Sequence, residues 1–423
     1  MSDWSSRRLH FIGVGGAGMS GLALVCAELG ATVTGSDRSE SSYMERLRAA
    51  GLAPIVGHDA ANLPDGAEVV VSTAIGDDNP ELALSRERGI EPIHRGALLA
   101  ELCTEKRLIA VAGTHGKTTT TAMLVWALRA LGADPAFFVG GEVPGLGSEQ
   151  GAANAGWGNG EWVIAEADES DGSFLDLEPE IAVVTNIEMD HHSRWGSVAE
   201  LRAAFDEFTA SARAVVRPED SDLEIELAVP GHHNVLNARA AVLAAAAAGF
   251  EPAAAAAALA DFPGVKRRLE FKGTREGARI YDDYAHHPTE VRAALSALRK
   301  QDPGRLIAVF QPHLYSRTKA FGEEFGAALA LADEVVVLDV YPAREQPVGE
   351  LAGVSGLQVA QAASERMGGR RVRWLPDAAG AGRALADLLD HNQAIGYEGQ
   401  VLVTVGAGDV FKLGESLVCE EER

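Results

Sequence analysis

The sequence of 423 residues contains few cysteines, few aromatic residues and fewer basic than acidic residues. Its three cysteines, Cys26, Cys103 and Cys419, are far apart and form no CxxC pair. This excludes a disulfide framework and a cysteine-rich zinc site. Lys and Arg number 37 against 61 Asp and Glu, so the formal net charge is −24. A protein that coats nucleic acid or anionic lipid is therefore excluded, because such a surface needs a net basic face. We expect no nucleic-acid and no membrane partner.

Long uninterrupted apolar runs are also missing. The N-terminal pair Arg7 and Arg8 resembles a twin-arginine signal, but glycines interrupt the apolar stretch that follows. The alanine-rich run over 240–260 is broken by Gly249 and Pro252, which favours two packed helices over a membrane span. With 47% hydrophobic and 23% charged residues, the composition is that of a globular protein, which we expect to be cytoplasmic.

Short apolar runs alternate with helix-like segments along almost the whole chain, and most of these runs end in Gly, Asp, Ser or Thr. Apolar strands separated by helices indicate an α/β fold with parallel sheets covered on both faces. Ligands of such sheets bind outside the carboxyl ends of the strands. The length and the pattern predict three α/β domains, at residues 1–103, 104–262 and 263–423.

The first glycine-rich loop, GVGGAG at 13–18, follows an apolar strand and precedes a helix-like stretch, and Asp37 closes the next strand. Glycines allow backbone N–H groups to approach a pyrophosphate at a helix N-terminus. The pattern favours a Rossmann-like domain with a dinucleotide-like ligand, although a tight strand–helix turn without a ligand would have the same sequence. The loop does not say which nucleotide is bound.

The second glycine-rich loop, GTHGKTTTT at 113–121, is more specific. It follows the strand RLIAVAG and leads into a stretch with helical periodicity. Backbone donors, Lys117 and the Thr118 hydroxyl are suited to ATP phosphates and to Mg²⁺. The spacing is GxxGKT rather than the full Walker pattern. We expect an ATP site.

Acidic and imidazole groups near two later strand ends extend this site. Glu166 ends the strand EWVIAEAD, and Asp190 and His191 follow the strand IAVVTNI. They could complete a Mg²⁺ shell beside Thr118. Because Mg²⁺ prefers oxygen ligands, the histidine could instead act through water, or the ion could be Mn²⁺. The alternative is that ADESD at 167–171 is a solvated acidic turn.

A third cluster comprises DDYAHHPTE at 282–290 and QPHLYSRT at 311–318, each following an apolar strand. Both segments are expected at carboxyl strand ends of one domain, where they could face one crevice. Three histidines together with Arg317 at such positions favour a functional role for at least one of them.

The ordered combination of these motifs resembles the Mur ligases. The segments that carry the resemblance are GVGGAGMS, GSD, GTHGKTTT, EADESD, TNIEMDH, PGHHNVLN, GVKRRLE, DDYAHHPTE and QPHLYSRT. The resemblance implies an N-terminal Rossmann-like domain for a UDP-sugar, a central P-loop-type ATPase domain and a C-terminal Rossmann-like domain. It further implies ATP-dependent addition of L-alanine to UDP-N-acetylmuramate through an acyl phosphate, in peptidoglycan precursor synthesis.

The resemblance also implies roles for individual residues. Those at the UDP-sugar would be Gly15, Gly18, Met19, Ser20, Asp37, His58 and Ser72. Those at ATP would be Gly113, Thr114, His115, Gly116, Lys117, Thr118, Thr119, Asn234, Asn237 and Arg268. Mg²⁺ would be held by Thr118, Glu166 and His191. L-Alanine would lie among Tyr284, His286, His313 and Arg317. The catalytic groups would be Lys117, His191, His286 and Arg317, with His191 or His286 accepting the proton of the amine.

Two departures from the family pattern stand out. The stretch 209–229 is several dozen residues shorter than usual, which puts the stability of the central domain in question. Leu314 stands where some relatives have arginine, which weakens a two-arginine clamp on alanine. Alternatives are a murein tripeptide ligase of cell-wall recycling, an NAD-dependent oxidoreductase and a non-catalytic nucleotide-binding protein. The segments HHPTE and QPHLYSRT favour the alanine-adding enzyme, and we expect a monomer or homodimer.

Overall fold

The computed structural model describes residues 3–147, 151–190, 194–368 and 370–419. The chain forms two compact units. One comprises the residues up to Ala228 together with Val235–Val265, and the other comprises Val229–Asn234 and the residues from Lys266 onward. The described residues form three β-sheets, two in the first unit and one in the second. The domain limits predicted near residues 103 and 262 stay predictions.

The first sheet has five parallel strands. It is built from β1 (Arg8–Ile12), β2 (Thr32–Asp37), β3 (Ile55–Val56), β4 (Glu68–Val71) and β5 (Ile93–His94), in the spatial order β3-β2-β1-β4-β5. The connecting helices are α1 (Ala17–Glu28), α2 (Ser42–Ala49), α3 (Pro80–Glu87) and α4 (Arg95–Cys103). The strand order reverses beside β1, so the first glycine-rich loop lies at the switch point where ligands of open α/β sheets bind.

The second sheet has six strands, parallel except for the pair β7 and β8. It is built from β6 (Arg107–Ala112), β7 (Ala136–Val143), β8 (Ala153–Gly156), β9 (Trp162–Glu166), β10 (Ile181–Val184) and β11 (Ala214–Val216), in the order β11-β10-β6-β9-β7-β8. Its helices are α5 (Lys117–Ala130), α6 (Val198–Thr209), α7 (His232–Ala247) and α8 (Pro252–Ala258). The alanine-rich run thus lies in two helices, as predicted.

The two sheets of the first unit share one hydrophobic core. Phe11 and Leu22 from the first sheet and its helix belong to the same buried cluster as Phe138 from the second. Helix α1 packs so closely on β8 that a methyl group on Gly21 would lie 2.9 Å from the Cβ of Ala155. Glycine at this position therefore permits the close approach of the helix to the strand.

The third sheet has six strands, parallel except for the pair β12 and β13. It is built from β12 (Glu270–Arg275), β13 (Ala278–Asp283), β14 (Arg305–Phe310), β15 (Glu334–Val337), β16 (Arg371–Trp374) and β17 (Gln400–Val405), in the order β12-β13-β17-β14-β15-β16. Its helices are α9 (Pro288–Arg299), α10 (Tyr315–Leu329), α11 (Gly356–Met367), α12 (Ala378–Ala394) and α13 (Phe411–Cys419). Because β17 separates β13 from β14, the carboxyl ends of these three strands are neighbours.

The predicted α/β fold with mainly parallel sheets is confirmed, while the antiparallel pairs β7–β8 and β12–β13 were not predicted. Strand β13 also runs two residues beyond the predicted segment 278–281, so Asp282 and Asp283 belong to the strand. Across the described part of the chain, we find no helix that combines the length and apolar character of a membrane span.

Candidate active site

The first glycine-rich loop is held in place by a carboxylate. The N–H of Gly15 donates to Asp37 Oδ2 at 2.9 Å, and Ser41 Oγ donates to the Gly15 carbonyl at 3.0 Å. A methyl group on Gly15 would lie 3.0 Å from both of these side-chain oxygens. Gly13 has φ +84°, a conformation that favours glycine. Asp37, which closes the next strand as predicted, thus fixes the turn.

The residues expected at a diphosphate differ in how accessible they are. Gly18 is exposed at the start of α1, as is the neighbouring Gly16, whereas Gly15, Met19 and Ser20 are buried. The Ser20 hydroxyl donates to the carbonyl of Ala17 at 3.0 Å. The first N–H groups of α1 have no intrahelical acceptor and make the helix start suitable for an anion. Access to this helix start is therefore at the exposed glycines rather than at the side chains of Met19 and Ser20.

The residues expected at the uridine lie at the carboxyl ends of three strands of the first sheet. Asp37 is the last residue of β2, His58 comes after β3, and Ser72 comes after β4, which β1 separates from β2. Beside His58 lies Glu81, a fully buried carboxylate that no sequence motif indicated, with 3.3 Å between its Oε1 and His58 Nδ1. Ser36 Oγ donates to Glu81 at 2.6 Å and lies 2.9 Å from His58 Nδ1.

Glu81 also accepts a hydrogen bond from Asn62 at 2.9 Å and lies 2.9 Å from His10 Nε2. Burial opposes its ionisation, but hydrogen bonds from His10, Ser36 and Asn62 outweigh burial and lower the pKa of Glu81 to about 2. The ionised Glu81 carboxylate therefore stabilises the packing of His10, Ser36 and Asn62 around it.

The second glycine-rich loop surrounds the ammonium group of Lys117. Lys117 Nζ donates to the Gly113 carbonyl at 2.7 Å and forms an ion pair with Glu169 at 2.7 Å. Burial disfavours the charged lysine, yet the carboxylates of Glu169, Asp168 and Glu166 outweigh burial and raise the pKa of Lys117. Lys117 is therefore held as a cation beside the loop.

Asparagines from two other segments contact this loop. The N–H of His115 donates to Asn186 Oδ1 at 2.9 Å, and Asn186 Nδ2 donates to the His115 carbonyl at 2.8 Å. Gly116 has φ +83°, and a methyl group there would collide with Asn237 Oδ1. Asn237 also accepts a bond from Thr120 Oγ1 at 3.3 Å. Asn237 was predicted from the resemblance, whereas Asn186 was missed although it lies in the quoted segment TNIEMDH.

Helix α5 begins at Lys117, so the N–H groups of its first turn, which includes Thr118 and Thr119, have no intrahelical acceptor. Thr114 Oγ1 donates to the carbonyl of Glu188 at 2.9 Å. The predicted ATP residues of this loop are thus contiguous around one helix start.

The segment ADESD is not a solvated acidic turn. Glu169 is 1% exposed, and burial raises the pKa of this carboxyl, while the 2.7 Å ion pair with Lys117 opposes that shift. Just before the segment, Glu166 accepts from Thr118 Oγ1 at 3.0 Å and from the N–H of Gly140 at 2.6 Å. Thr118 and Glu166 thus present adjacent oxygen atoms, the ligand type that Mg²⁺ prefers. His191, the third predicted metal ligand, lies outside the described residues.

Arg95, which was also missed, extends this charge network towards the first loop. Its Nη2 donates to Asp168 at 2.6 Å and to Asp171 at 3.0 Å. Burial opposes the ionisation of Asp168, but Lys117 and Arg95 hold the pKa of its carboxyl well below the usual value. The pKa of Asp168 is therefore lowered by two cations, Lys117 in the second glycine-rich loop and Arg95 near the first.

In the second unit, the four residues predicted around alanine lie together. The ring centroids of Tyr284 and His286 are 5.3 Å apart, and those of His286 and His313 are 6.0 Å apart. Arg317 Nη1 lies 3.4 Å from His313 Nδ1, and the arginine is 8% exposed. The structure adds Tyr341, which follows β15 and stacks on His313 with the rings 13° from parallel. An aromatic residue after an apolar strand was the available signal for Tyr341.

The cluster is bordered by residues with constrained backbones and by a buried acid. Leu314 has φ +69° at the start of α10, and Arg267 has φ +61°. The guanidinium groups of Arg267 and Arg268 lie 4.9 and 5.2 Å from the ring of Tyr284. Burial raises the pKa of Asp283 to about 6, although Arg268 favours its charged form. The predicted ATP residue Arg268 thus contacts a ring of this cluster.

Asn234, another predicted ATP residue, also belongs to the second unit, where its Nδ2 donates to the carbonyl of Pro230 at 2.7 Å. In the same unit, burial and the charge of Arg268 lower the pKa of His233 to about 4. This neighbour of Asn234 in the quoted segment PGHHNVLN is therefore neutral at physiological pH.

Three family descriptions match successive parts of the chain. "Mur ligase family, catalytic domain" matches residues 8–107, "Mur ligase middle domain" matches residues 111–216, and "Mur ligase, glutamate ligase domain" matches residues 267–408. The three matches together cover most of the described sheets of both units.

Curated relatives match almost the entire chain. The UDP-N-acetylmuramate–L-alanine ligase of Paenarthrobacter aurescens is 42% identical over 461 aligned positions, covering 97% of this chain and 96% of that protein. The corresponding ligase of Kineococcus radiotolerans is 45% identical, covering 97% of this chain and 95% of that protein. The alignment of 461 positions exceeds the 423 residues of this chain, so the first relative contains residues that this chain lacks.

Solved structures show the same fold. The UDP-N-acetylmuramate–alanine ligase of Thermotoga maritima has a TM-score of 0.82 and 29% identity, covering 98% of this chain and 99% of that one. A murein peptide ligase of Psychrobacter arcticus has a TM-score of 0.70 but 23% identity, covering 98% of both chains, and this similarity shows the fold alone. From its matching domains and its relatives, the chain belongs to the Mur ligase family.

Proposed function

We propose that this protein is an ATP-dependent ligase that joins L-alanine to UDP-N-acetylmuramate in peptidoglycan precursor synthesis. The observation that carries the proposal is the second glycine-rich loop, in which Lys117 and Thr118 face the carboxylates of Glu169 and Glu166. This arrangement provides a cation for phosphates and oxygen ligands for a metal at one helix start. The curated relatives carry the same activity in their names.

The first step is attack by the lactyl carboxylate of UDP-N-acetylmuramate on the γ-phosphate of ATP, which yields an acyl phosphate and ADP. Both reactants are anions, so positive charge must compensate the negative charge that develops. Lys117 provides this charge from a site where surrounding carboxylates favour its protonated form. Phosphates that arrive at α5 would join Glu169 and the Gly113 carbonyl as partners of the Lys117 ammonium group.

Thr118 and Glu166 would hold Mg²⁺, with His191 as the further ligand, and Mn²⁺ would fit the same set. When bound, the divalent cation neutralises phosphate charge. The donor atoms suit the ion, because the threonine hydroxyl and the carboxylate lie 3.0 Å apart. The proposed ATP contacts also include Gly113, Thr114, His115, Gly116, Thr119, Asn234, Asn237 and Arg268.

In the second step, the amine of L-alanine attacks the acyl phosphate, and inorganic phosphate leaves to give an amide. The amine reacts only when it is deprotonated, so a proton acceptor is needed. His286 or His191 would accept this proton. Arg317 would bind the alanine carboxylate through its planar guanidinium, and Tyr284 and His313 would enclose the small substrate.

The first glycine-rich loop would bind the UDP group. Gly15 and Gly18 would lie along the diphosphate, with backbone groups at Met19 and Ser20, and the uridine would lie near Asp37, His58 and Ser72. We further propose a cytoplasmic protein with domain limits near residues 103 and 262. A monomeric or homodimeric state stays a prediction that gel filtration with light scattering would test.

Phosphate release from Mg-ATP tests this function. UDP-N-acetylmuramate is present throughout, and L-alanine, glycine, L-serine or the murein tripeptide is added one at a time. We expect release that requires both the sugar nucleotide and L-alanine and that is lost in Lys117→Ala. Release with the tripeptide alone would identify a recycling ligase instead. ATP binding without release for any acceptor would contradict the proposal.

A further inference from the structure

We propose that Arg95 couples the two nucleotide sites, so that each ligand tightens binding of the other. The inference rests on the proposed function, because it takes the first loop as the UDP-sugar site and the second as the ATP site. Arg95 is the first residue of α4, and its side chain is 23% exposed. In this proposal Arg95 contacts the UDP-sugar at the first loop and positions the acidic turn beside the second loop.

The two terminal nitrogens of Arg95 face different regions. Nη1 is directed at the first loop, since a methyl group on Gly18 would lie 3.4 Å from it. Nη2 is occupied by the acidic turn, with Asp168 Oδ2 at 2.6 Å and Asp171 Oδ2 at 3.0 Å. Gly18 is exposed at the start of α1, so a diphosphate bound there comes within reach of Nη1. One guanidinium group can thus serve both regions.

The acidic turn continues directly to the ATP loop. Asp168 precedes Glu169, whose carboxylate forms the 2.7 Å ion pair with Lys117. Charges therefore alternate from Arg95 through the acidic turn to Lys117, with an anionic ligand expected at each end. This alternation places a cation next to each ligand and carboxylates between the two cations, which reduces the repulsion between Arg95 and Lys117.

Binding at either end orders the same elements. A diphosphate on Nη1 restricts Arg95 and, through Nη2, the acidic turn that bears the partner of Lys117. ATP then binds beside a turn whose position the diphosphate has already fixed through Arg95. Because coupling between two binding sites is reciprocal, ATP must tighten binding of the UDP-sugar by the same factor.

Calorimetric titration of UDP-N-acetylmuramate, with and without a saturating non-hydrolysable ATP analogue and Mg²⁺, measures this factor. In the unaltered protein we expect the analogue to tighten the sugar nucleotide by about fivefold or more. In Arg95→Lys the factor should fall to about one, since a single ammonium nitrogen cannot hold two carboxylates and face Gly18 as well.

Arg46→Lys is the matched control. Arg46, on α2, also joins the two sheets of this unit through a hydrogen bond to Asn154, but it lacks a bond to the acidic turn among its described contacts. We expect this variant to retain the coupling factor even if its melting temperature falls. An equal loss of coupling in both variants would overturn the proposal and indicate a general structural effect.

Two further outcomes distinguish a failure of this inference from a failure of the proposed function. If both ligands bind the unaltered protein without influencing each other, or if Arg95→Lys keeps the full factor, Arg95 does not couple the sites and the inference is wrong. If neither ligand binds the unaltered protein, the proposed function itself is wrong, and the inference falls with it.

Discussion

The two glycine-rich loops share a place between a strand and a helix and differ in what their carboxylates do. Each follows an interior strand of its sheet, β1 or β6, and leads into a helix. In the first, Asp37 accepts the N–H of Gly15 and so holds the turn itself. In the second, Glu169 and Glu166 contact Lys117 and Thr118, the side chains suited to phosphates and a metal.

This difference between the carboxylates indicates that the first loop serves substrate binding and the second serves the reaction. A loop that mainly binds a diphosphate can rely on backbone donors, and its acid can be used to stabilise the protein. A loop at which phosphoryl transfer occurs needs side chains whose charge acts on the reacting groups. Changes at the first loop should therefore affect substrate affinity or stability, and changes at the second should affect turnover and metal dependence.

Removal of Lys117 should have the largest effect. We expect Lys117→Ala to lower kcat by about 10²-fold or more, because a charge aimed at the transferring phosphoryl group is lost. The measurement is phosphate release at saturating UDP-N-acetylmuramate and L-alanine. Lys106→Ala is the control, since Lys106 bonds the carbonyls of Gly158 and Gly160, and it should keep near-normal turnover. An equal loss of kcat in Lys117→Ala and Lys106→Ala would contradict the assignment of Lys117 to the reaction.

Substitution of a carboxylate should change the Mg²⁺ requirement of the enzyme at the second loop but not at the first. Glu166→Gln should raise the Mg²⁺ concentration for half-maximal activity by about tenfold, because a neutral amide holds a divalent cation less well. Asp37→Asn should instead raise KM for UDP-N-acetylmuramate and leave the Mg²⁺ requirement unchanged. A Mg²⁺ titration of both variants checks this. A shift of similar size in Asp37→Asn would show that the first loop takes part in metal binding.

Glycines at the two helix starts should tolerate alanine differently. In Gly116→Ala, the positive φ and the collision with Asn237 should cost about 1 kcal/mol or more of unfolding free energy and weaken ATP binding. Gly18 does not have a positive φ, and the nearest atom to an added methyl group would be Arg95 Nη1 at 3.4 Å. Gly18→Ala should therefore fold normally. Thermal unfolding of both variants, with and without ATP, is the measurement.

The smallest effect should be a dependence of stability on pH at the first site. The folded pKa of Glu81, about 2, lies below its ordinary value of 4.5, so its stabilising contribution is present above pH 4.5 and is lost as pH falls towards 2. The loss should not exceed about 1.4 kcal/mol per pH unit. Denaturant unfolding between about pH 5 and pH 3 should show this slope, and Glu81→Gln should reduce it. An unchanged slope would exclude Glu81 as its source.

Much of the fold was accessible from local patterns. The apolar runs that became β6 and β14 and the two glycine-rich loops were identified because strand burial and helix starts depend on a few neighbouring residues. The alanine-rich helices were predicted for the same reason. Strand β13 was predicted too short, because its last two residues are aspartates whose side chains are buried beside Arg267 and Arg268.

The candidate site was predictable where its residues lie in motifs. Tyr284, His286, His313 and Arg317 were expected in one crevice, and the structure brings them together. Tyr341 was missed because its approach to His313 depends on the pairing of the segments that follow β14 and β15. Glu81 and Arg95 belong to no motif, so nothing in their surroundings in the sequence indicated their partners.

The sequence by itself determined the α/β class, the two glycine-rich loops and the family, since short-range periodicity and ordered motifs carry that information. The tertiary structure decided which charges meet. Lys117 pairs with Glu169, 52 positions away, and Arg95 with Asp168, 73 positions away. Strands β6 and β9, distant in the chain, pair in one sheet and bring Lys117 to Glu169, while packing of the first sheet's α4 against the second sheet brings Arg95 to Asp168. These residues then share one environment in which charge pairing sets each pKa.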